Sequence, residues 1–214
     1  MTVIKHKEQR VGVFIDTQNL YHSAKNLYHS RVNFGAILKD VVAGRALIRA
    51  VAYVITTESG EEQSFFEALG KVGIETKTKD LQIFAGGNKK ADWDVGLAVD
   101  AIKVATKLDT VIILSGDGDF VPLVEYLQTS TGCQVEVASF GKSSSLKLKE
   151  AADEFIDLSE NPKKYLMSYR GPSAFSPKRA GTPSMKGDDL KMHSRDASPK
   201  VSVDLEEANE PETY

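Results

Sequence analysis

The chain holds a single cysteine, Cys133, among its 214 residues. No disulfide can close within it, so a reducing, cytoplasmic setting is expected. Cys133 stands just before an apolar run and is expected in the core rather than as a nucleophile. Long apolar stretches are also missing. None approaches the roughly 18 residues of a membrane-spanning helix, and the opening MTVIKHKEQR is too polar for a secretory leader. There is no basic excess either: 27 Lys and Arg against 30 Asp and Glu leave a net charge of −3. That balance argues against the broad phosphate-coating surface of a non-specific DNA binder. A nucleic acid would have to be held at a local patch or with the help of cations.

Proline is scarce until the end, where five of the seven lie beyond Arg170. Residues 170–214 have almost no periodic apolar positions, and such a composition buries too little surface to offset its ordering entropy. They are expected to form a disordered, solvated tail, open to an unidentified protein partner and carrying Ser-Pro or Thr-Pro pairs at Ser176, Thr182 and Ser198. The ordered part is expected over residues 10–169, behind a short N-terminal extension at residues 1–9.

What is present in that part is alternation. Strand-like apolar runs occur at residues 11–16, 47–56, 110–115, 134–140 and 155–158. Between them lie helix-like segments at 19–29, 34–44, 61–73, 91–109, 119–132 and 145–155, with Gly44 as the stop of the second and Pro122 in the first turn of the fifth. The 91–109 segment carries Val95, Ala98, Val99, Ile102 and Ala105 at helical spacing, and residues 74–84 alternate as an edge strand or hairpin would. Continuous apolar strands interleaved with helices predict an α/β fold, a three-layer α/β/α sandwich on a mostly parallel sheet.

In such a fold, sites form beyond the carboxyl ends of the strands where strand order reverses. Two strand-like runs end in acids there: VFID in Asp16, and VIILSGDGDF in Asp117 and Asp119. Asp92 and Asp94 open the long helix, where acids are favoured as caps and by the helix dipole. Capping also accounts for Asp119. Asp16 and Asp117 resist that explanation, because an unpaired carboxylate at a buried edge costs several kcal/mol. A shared divalent cation would relieve the mutual repulsion of such acids. Oxygen ligands without clustered Cys or His favour Mg²⁺ or Mn²⁺ over zinc. Gly116 and Gly118 would let substrate or metal come close to the backbone.

The ordered set FIDTQNLY, KKADWDVGLAVDA, VIILSGDGDFVPLV and LKEAADEFIDL resembles the NYN domain of the LabA-like family, within the PIN-like nuclease superfamily, over about residues 10–160. The resemblance implies a PIN-like fold and metal-dependent ribonuclease chemistry. It marks Asp16, Asp94, Asp117 and Asp119 as catalytic, metal-holding acids, with Asn19 and Ser115 in support. Asp100 also matches a family position. Six residues past Asp94 it points about 240° round the helix, so its expected role is support. The pattern leaves open whether Asp92 or Asp94 faces the metal. The implied reaction is hydrolysis of an RNA phosphodiester by a metal-activated water, with no covalent enzyme intermediate.

Single-stranded RNA is the favoured partner, with Lys89 and Lys90 as candidate phosphate contacts. Trp93 and Phe120 suit base stacking but suit the core better. His22 and His29 read as surface residues. A homo-oligomer is left open.

Three rival readings fail on missing residues. FGKSS at 140–144 lacks the phosphate-loop glycine, since position 136 is Glu. GDGDF lacks the third glycine of a dinucleotide site. Gln18 stands where an aspartyl phosphotransferase would want a second acid. The remaining alternative is a non-cleaving RNA-binding or regulatory module on the same fold.

Overall fold

The structure, a computed structural model, describes residues 3–56, 63–80, 82–83, 89–90 and 92–167; for 82–83 and 89–90 it describes the backbone alone. The expected tail, and the side chains of Lys89 and Lys90, lie outside the described residues.

The elements follow the alternation in the sequence. They are β1 Arg10–Asp16, α1 Thr17–Tyr28, α2 Phe34–Val42, β2 Ala46–Thr56, α3 Gln63–Lys71, β3 Glu75–Asp80, α4 Asp94–Ala105, β4 Thr110–Leu114, α5 Val121–Tyr126, β5 Gln134–Ser139, α6 Leu146–Ala151, β6 Glu154–Asp157 and α7 Pro162–Tyr165. A 3₁₀ turn, Gly118–Phe120, leads into α5, and a π turn, Leu127–Thr131, follows it to a left-handed Gly132. α2 ends one residue earlier than its glycine suggests, with Ala43 taking the left-handed conformation at φ 52°.

Every pairing in the six-stranded sheet is parallel, in the order β3-β2-β1-β4-β5-β6. β1 and β4 lie at its centre, so all five residues of β4 are buried. Fully burying an Ile or Leu there contributes about 1.5–3 kcal/mol. Side chains alternate between two cores. Val11, Val13, Ile15, Ile112 and Leu114 face α1, α2 and α7, whereas Phe14, Val111 and Ile113 face α4, α5 and α6. This is the three-layer sandwich that the sequence predicts. Two short antiparallel ladders lie outside the main sheet: Leu166–Met167 with Arg31–Val32, and Gln82–Ile83 with Lys89–Lys90. Among the described residues no helix is long and apolar enough to cross a membrane.

α4 departs from expectation in the face it buries. Leu97, Ala101 and Ala105 enter the core, while Val95 is 76% exposed and Val99 and Ile102 are also exposed. Two alanines bring the helix backbone close to the sheet, and that closeness outweighs the larger apolar area of the valines. Cys133 is buried as expected, and its thiol donates to the carbonyls of Ala105 and Leu108.

Far from the carboxyl edge, Arg45 and Glu136 form a fully buried ion pair, with contacts of 2.6 and 2.8 Å, and the guanidinium also donates to the carbonyls of Val41 and Val42. Lys5, ahead of β1, reaches Glu154 at 2.5 Å and Glu136 at 3.5 Å.

Candidate active site

Strand order reverses between β1 and β4, because the chain runs outward to β3 on one side and to β6 on the other. Asp16 ends β1, and Ser115 follows the last residue of β4, whose Leu114 pairs with Ile15. The two chain exits therefore stand side by side at the switch point.

Asp16 is fixed by both of its oxygens. Oδ1 accepts the backbone N–H of Asn19 at 3.0 Å, which makes Asp16 the N-cap of α1, and Oδ2 accepts from Ser115 Oγ at 3.0 Å. Ser115 is fully buried and in turn accepts the N–H of Asp117 at 3.1 Å. Asn19 Oδ1 accepts the N–H of Gly116 at 2.9 Å. These four bonds tie the start of α1 to the turn after β4 and give Asn19 and Ser115 the supporting place the sequence assigns them. Asp117 caps the next turn, its Oδ1 accepting the N–H of Asp119 at 3.0 Å.

The glycines serve a different purpose from the one expected. A Cβ at Gly116 would come within 2.8 Å of Ser144 Oγ and 2.9 Å of Ser139 Oγ, and one at Gly118 within 2.8 Å of Ser145 Oγ. They make room for the serine-rich loop between β5 and α6, not for a ligand.

Asp16, Asp92, Asp94 and Asp117 line one cleft of about 390 Å³, together with Tyr53, Trp93 and Ser143. Asp92 Oδ1 accepts the N–H of Asp94 at 2.7 Å and so serves as a local cap. Asp94 is the first residue of α4 and feels its neighbours: burial first, then the charge of Asp92 and that of Asp16, push its pKa up to about 7, with Asp117 adding in the same direction. Asp16 is also raised, chiefly by burial, against the opposing effect of its Asn19 and Ser115 hydrogen bonds. Burial together with neighbouring like charge raises a carboxyl's pKa in this way.

Asp119, expected as a fourth metal-holding acid, is exposed and stands outside the cleft lining. Two residues apart on a tight turn, it and Asp117 point differently. Asp100 does not line the cleft either. It accepts from Tyr53 Oη at 2.9 Å and Lys77 Nζ at 2.5 Å, so it holds Tyr53, which pairs with Asp16 across β1 and β2 and lines the cleft. Phe120 is core. Trp93 is half-buried and fixed, with Nε1 donating to the Val54 carbonyl at 3.0 Å and its ring packed edge-on to Tyr53 at 5.4 Å.

An oxygen-only donor set of three or four acids fits a hard divalent cation in its chemistry. In the present arrangement, no three Asp, Glu, His or Cys side chains among the described residues stand close enough to grip one ion. The carboxylates share a cleft but keep the spacing of like charges.

A family model of the NYN domain matches residues 10–159, which includes every cleft-lining residue. The chain belongs to the NYN domain family. A relative, Low amplitude and bright protein LabA from Synechococcus elongatus, is 26% identical over 165 residues, covering 72% of this chain and 86% of that protein. The NYN fold seen here also matches the crystal structure of a protein of unknown function from Vibrio parahaemolyticus, with a TM-score of 0.69 and 29% identity over 77% of this chain and all of that one.

The sequence pointed to the acids but not to the rest of the NYN cleft lining. Gln18, His22 and Asn26 of α1 line it as well. Their spacing of four, directly after a strand ending in a site acid, was the available signal.

Proposed function

We propose that the protein is a metal-dependent ribonuclease that hydrolyses phosphodiester bonds of single-stranded RNA in this cleft. The observation that carries the reading is that Asp16, Asp94 and Asp117, from three separate segments, line one cleft at the switch point, where burial and then neighbouring acids raise the pKa of Asp16 and of Asp94. Membership of the NYN family, which includes nucleases, supports it.

Asp16, Asp94 and Asp117 would hold Mg²⁺ or Mn²⁺. Bound there, such an ion lowers the pKa of a water and offsets charge on the phosphate. The chain's own residues prepare the place. Ser115 and the start of α1 fix the rotamer of Asp16, Asn19 fixes the Gly116 backbone that carries Asp117, and Asp100 fixes Tyr53 through its hydroxyl. Trp93 and Tyr53 close the cleft on the β2 side with apolar surface that limits water. No described lining residue is a lysine or arginine, so phosphate entry depends on the cation.

That last point, with the failure of three acids to close on one ion, favours a second reading: an RNA-binding or regulatory module that does not cleave. Labelled single-stranded RNA incubated with the purified full chain in Mn²⁺, Mg²⁺ or EDTA, beside Asp117→Asn, separates the two. The enzyme reading expects cleavage in Mn²⁺ or Mg²⁺ and none with EDTA or the variant. RNA that is bound but uncut under every metal condition establishes the module instead.

A further inference from the structure

The outer side of α4 carries apolar surface that nothing in the fold covers. Val95, Val99 and Ile102 are 76%, 41% and 37% exposed. They sit at i, i+4 and i+7, so they form one line along the helix. Among the described residues no other helix carries three large exposed hydrophobics. Single exposed apolar residues are ordinary, whereas an aligned set marks an interaction surface. The two ends of the line differ in charge. Asp92 and Asp94 stand at its start and line a cleft with two further acids, Asp16 and Asp117, and no described lysine or arginine. Lys103 and Lys107 stand at its end. Both are exposed, and neither is within ion-pair distance of an acid among the described residues.

We infer that this line is the contact of a weak two-fold homodimer, in which two copies lay α4 against α4 antiparallel, crossing at Val99. A two-fold contact uses the same patch on both copies, so the patch must complement itself. This one does, because reversing the helix sets its acidic start against its basic end. With Val99 on the partner's Val99, Val95 lies beside the partner's Ile102. Asp92 and Asp94 then stand level with the stretch between the partner's Lys103 and the partner's Lys107. The helix dipoles also oppose, each negative end lying beside a positive one. A parallel pair would set lysine beside lysine and acid beside acid, which is unfavourable. The line is short, and an interface built on it falls at the small end of specific complexes, so association depends on concentration. The inference concerns this surface alone and stands apart from what the cleft binds.

Sedimentation velocity of the full chain at roughly 10–300 µM, where a small interface fills, reads the association. Wild type is expected to pass from monomer to dimer across that range, and less readily as NaCl is raised. Val95→Lys should weaken association about tenfold or more, the equivalent of one buried valine. Its melting curve verifies that this exposed substitution leaves the fold in place. Lys103→Glu together with Lys107→Glu should also weaken it. Cysteine bridging reads the orientation, since the native Cys133 is buried. Val99→Cys should give an oxidised dimer. Val95→Cys should not, because its two copies lie about 12 Å apart along an antiparallel pair. A chain that stays monomeric throughout overturns the inference and leaves α4 to another occupant. A dimer that Val95→Lys leaves intact uses another face and overturns it as well. Equal bridging by the two cysteine variants, or indifference to salt and to the paired glutamates, overturns the antiparallel charge match.

Discussion

The Ser115 hydroxyl donates to Asp16 Oδ2 at 3.0 Å, across the seam between the two central strands. Ser115 Oγ itself accepts the N–H of Asp117. One buried atom thus ties together two acids that are about a hundred residues apart in the chain, and deleting it strands a carboxylate and an amide at once. Ser115→Ala is expected to cost about 1–3 kcal/mol of stability in urea unfolding, and to lower RNA cleavage by more than the loss of folded protein explains. A variant as stable and as active as wild type would remove Ser115 from the account.

A pH prediction follows from the acids. Asp94 sits at about 7 in the folded protein, and Asp16 is raised as well; both titrate near 3.9 when unfolded. Between those values the folded state holds protons that the unfolded state has released, so stability falls as pH rises. In EDTA the melting temperature should therefore decline from pH 5 to pH 8. Asp94→Asn should flatten the decline and be the more stable protein at pH 8. An unchanged slope in the variant would mean that Asp94 does not feel its neighbours.

Millimolar Mn²⁺ or Mg²⁺ should raise the melting temperature at pH 8 by mass action on the native state. Asp16→Asn should abolish the increment at modest cost of its own, since Asn caps a helix as well as Asp does, although its amide NH2 then stands where Oδ2 accepted from Ser115. Differential scanning calorimetry with and without the ion reads this directly.

Arg45 and Glu136 make a prediction independent of function. Both are buried away from the site, so Arg45→Ala leaves the Glu136 carboxylate buried with only Lys5, at 3.5 Å, as a cationic partner. A loss of about 3–5 kcal/mol is expected, read as a lower urea midpoint with an unchanged slope.

α4 separates what the sequence made legible from what it did not. Its extent, the apolar strands and the acids at their ends could be read from the sequence, because apolar periodicity and the cost of burying a carboxylate are local properties. Its buried face could not. Val95, Val99 and Ile102 outrank Ala101 and Ala105 in apolar area, yet the distance between helix and sheet chose the alanines. Asp117 and Asp119 are the same residue type two apart, and only the turn geometry aims one into the cleft. The Asn19–Gly116 and Arg45–Glu136 bonds join residues 97 and 91 apart, which no local pattern encodes. Gln18, His22 and Asn26 look like any solvated helix face in the sequence, yet they line the same cleft as the acids. The consequence for α4 is testable. Val95→Lys should change stability by less than about 0.5 kcal/mol, whereas Leu97→Ala should cost about 2–5 kcal/mol.

The central claim is that acids from β1, α4 and the turn after β4 serve one hard cation. A crystal of the full chain soaked in Mn²⁺ tests it most directly by anomalous scattering. The account predicts a peak in the cleft with carboxylate oxygens of Asp16, Asp94 and Asp117 at bonding distance. A cleft without a peak at millimolar Mn²⁺, or manganese bound only at exposed acids such as Asp119, would contradict it.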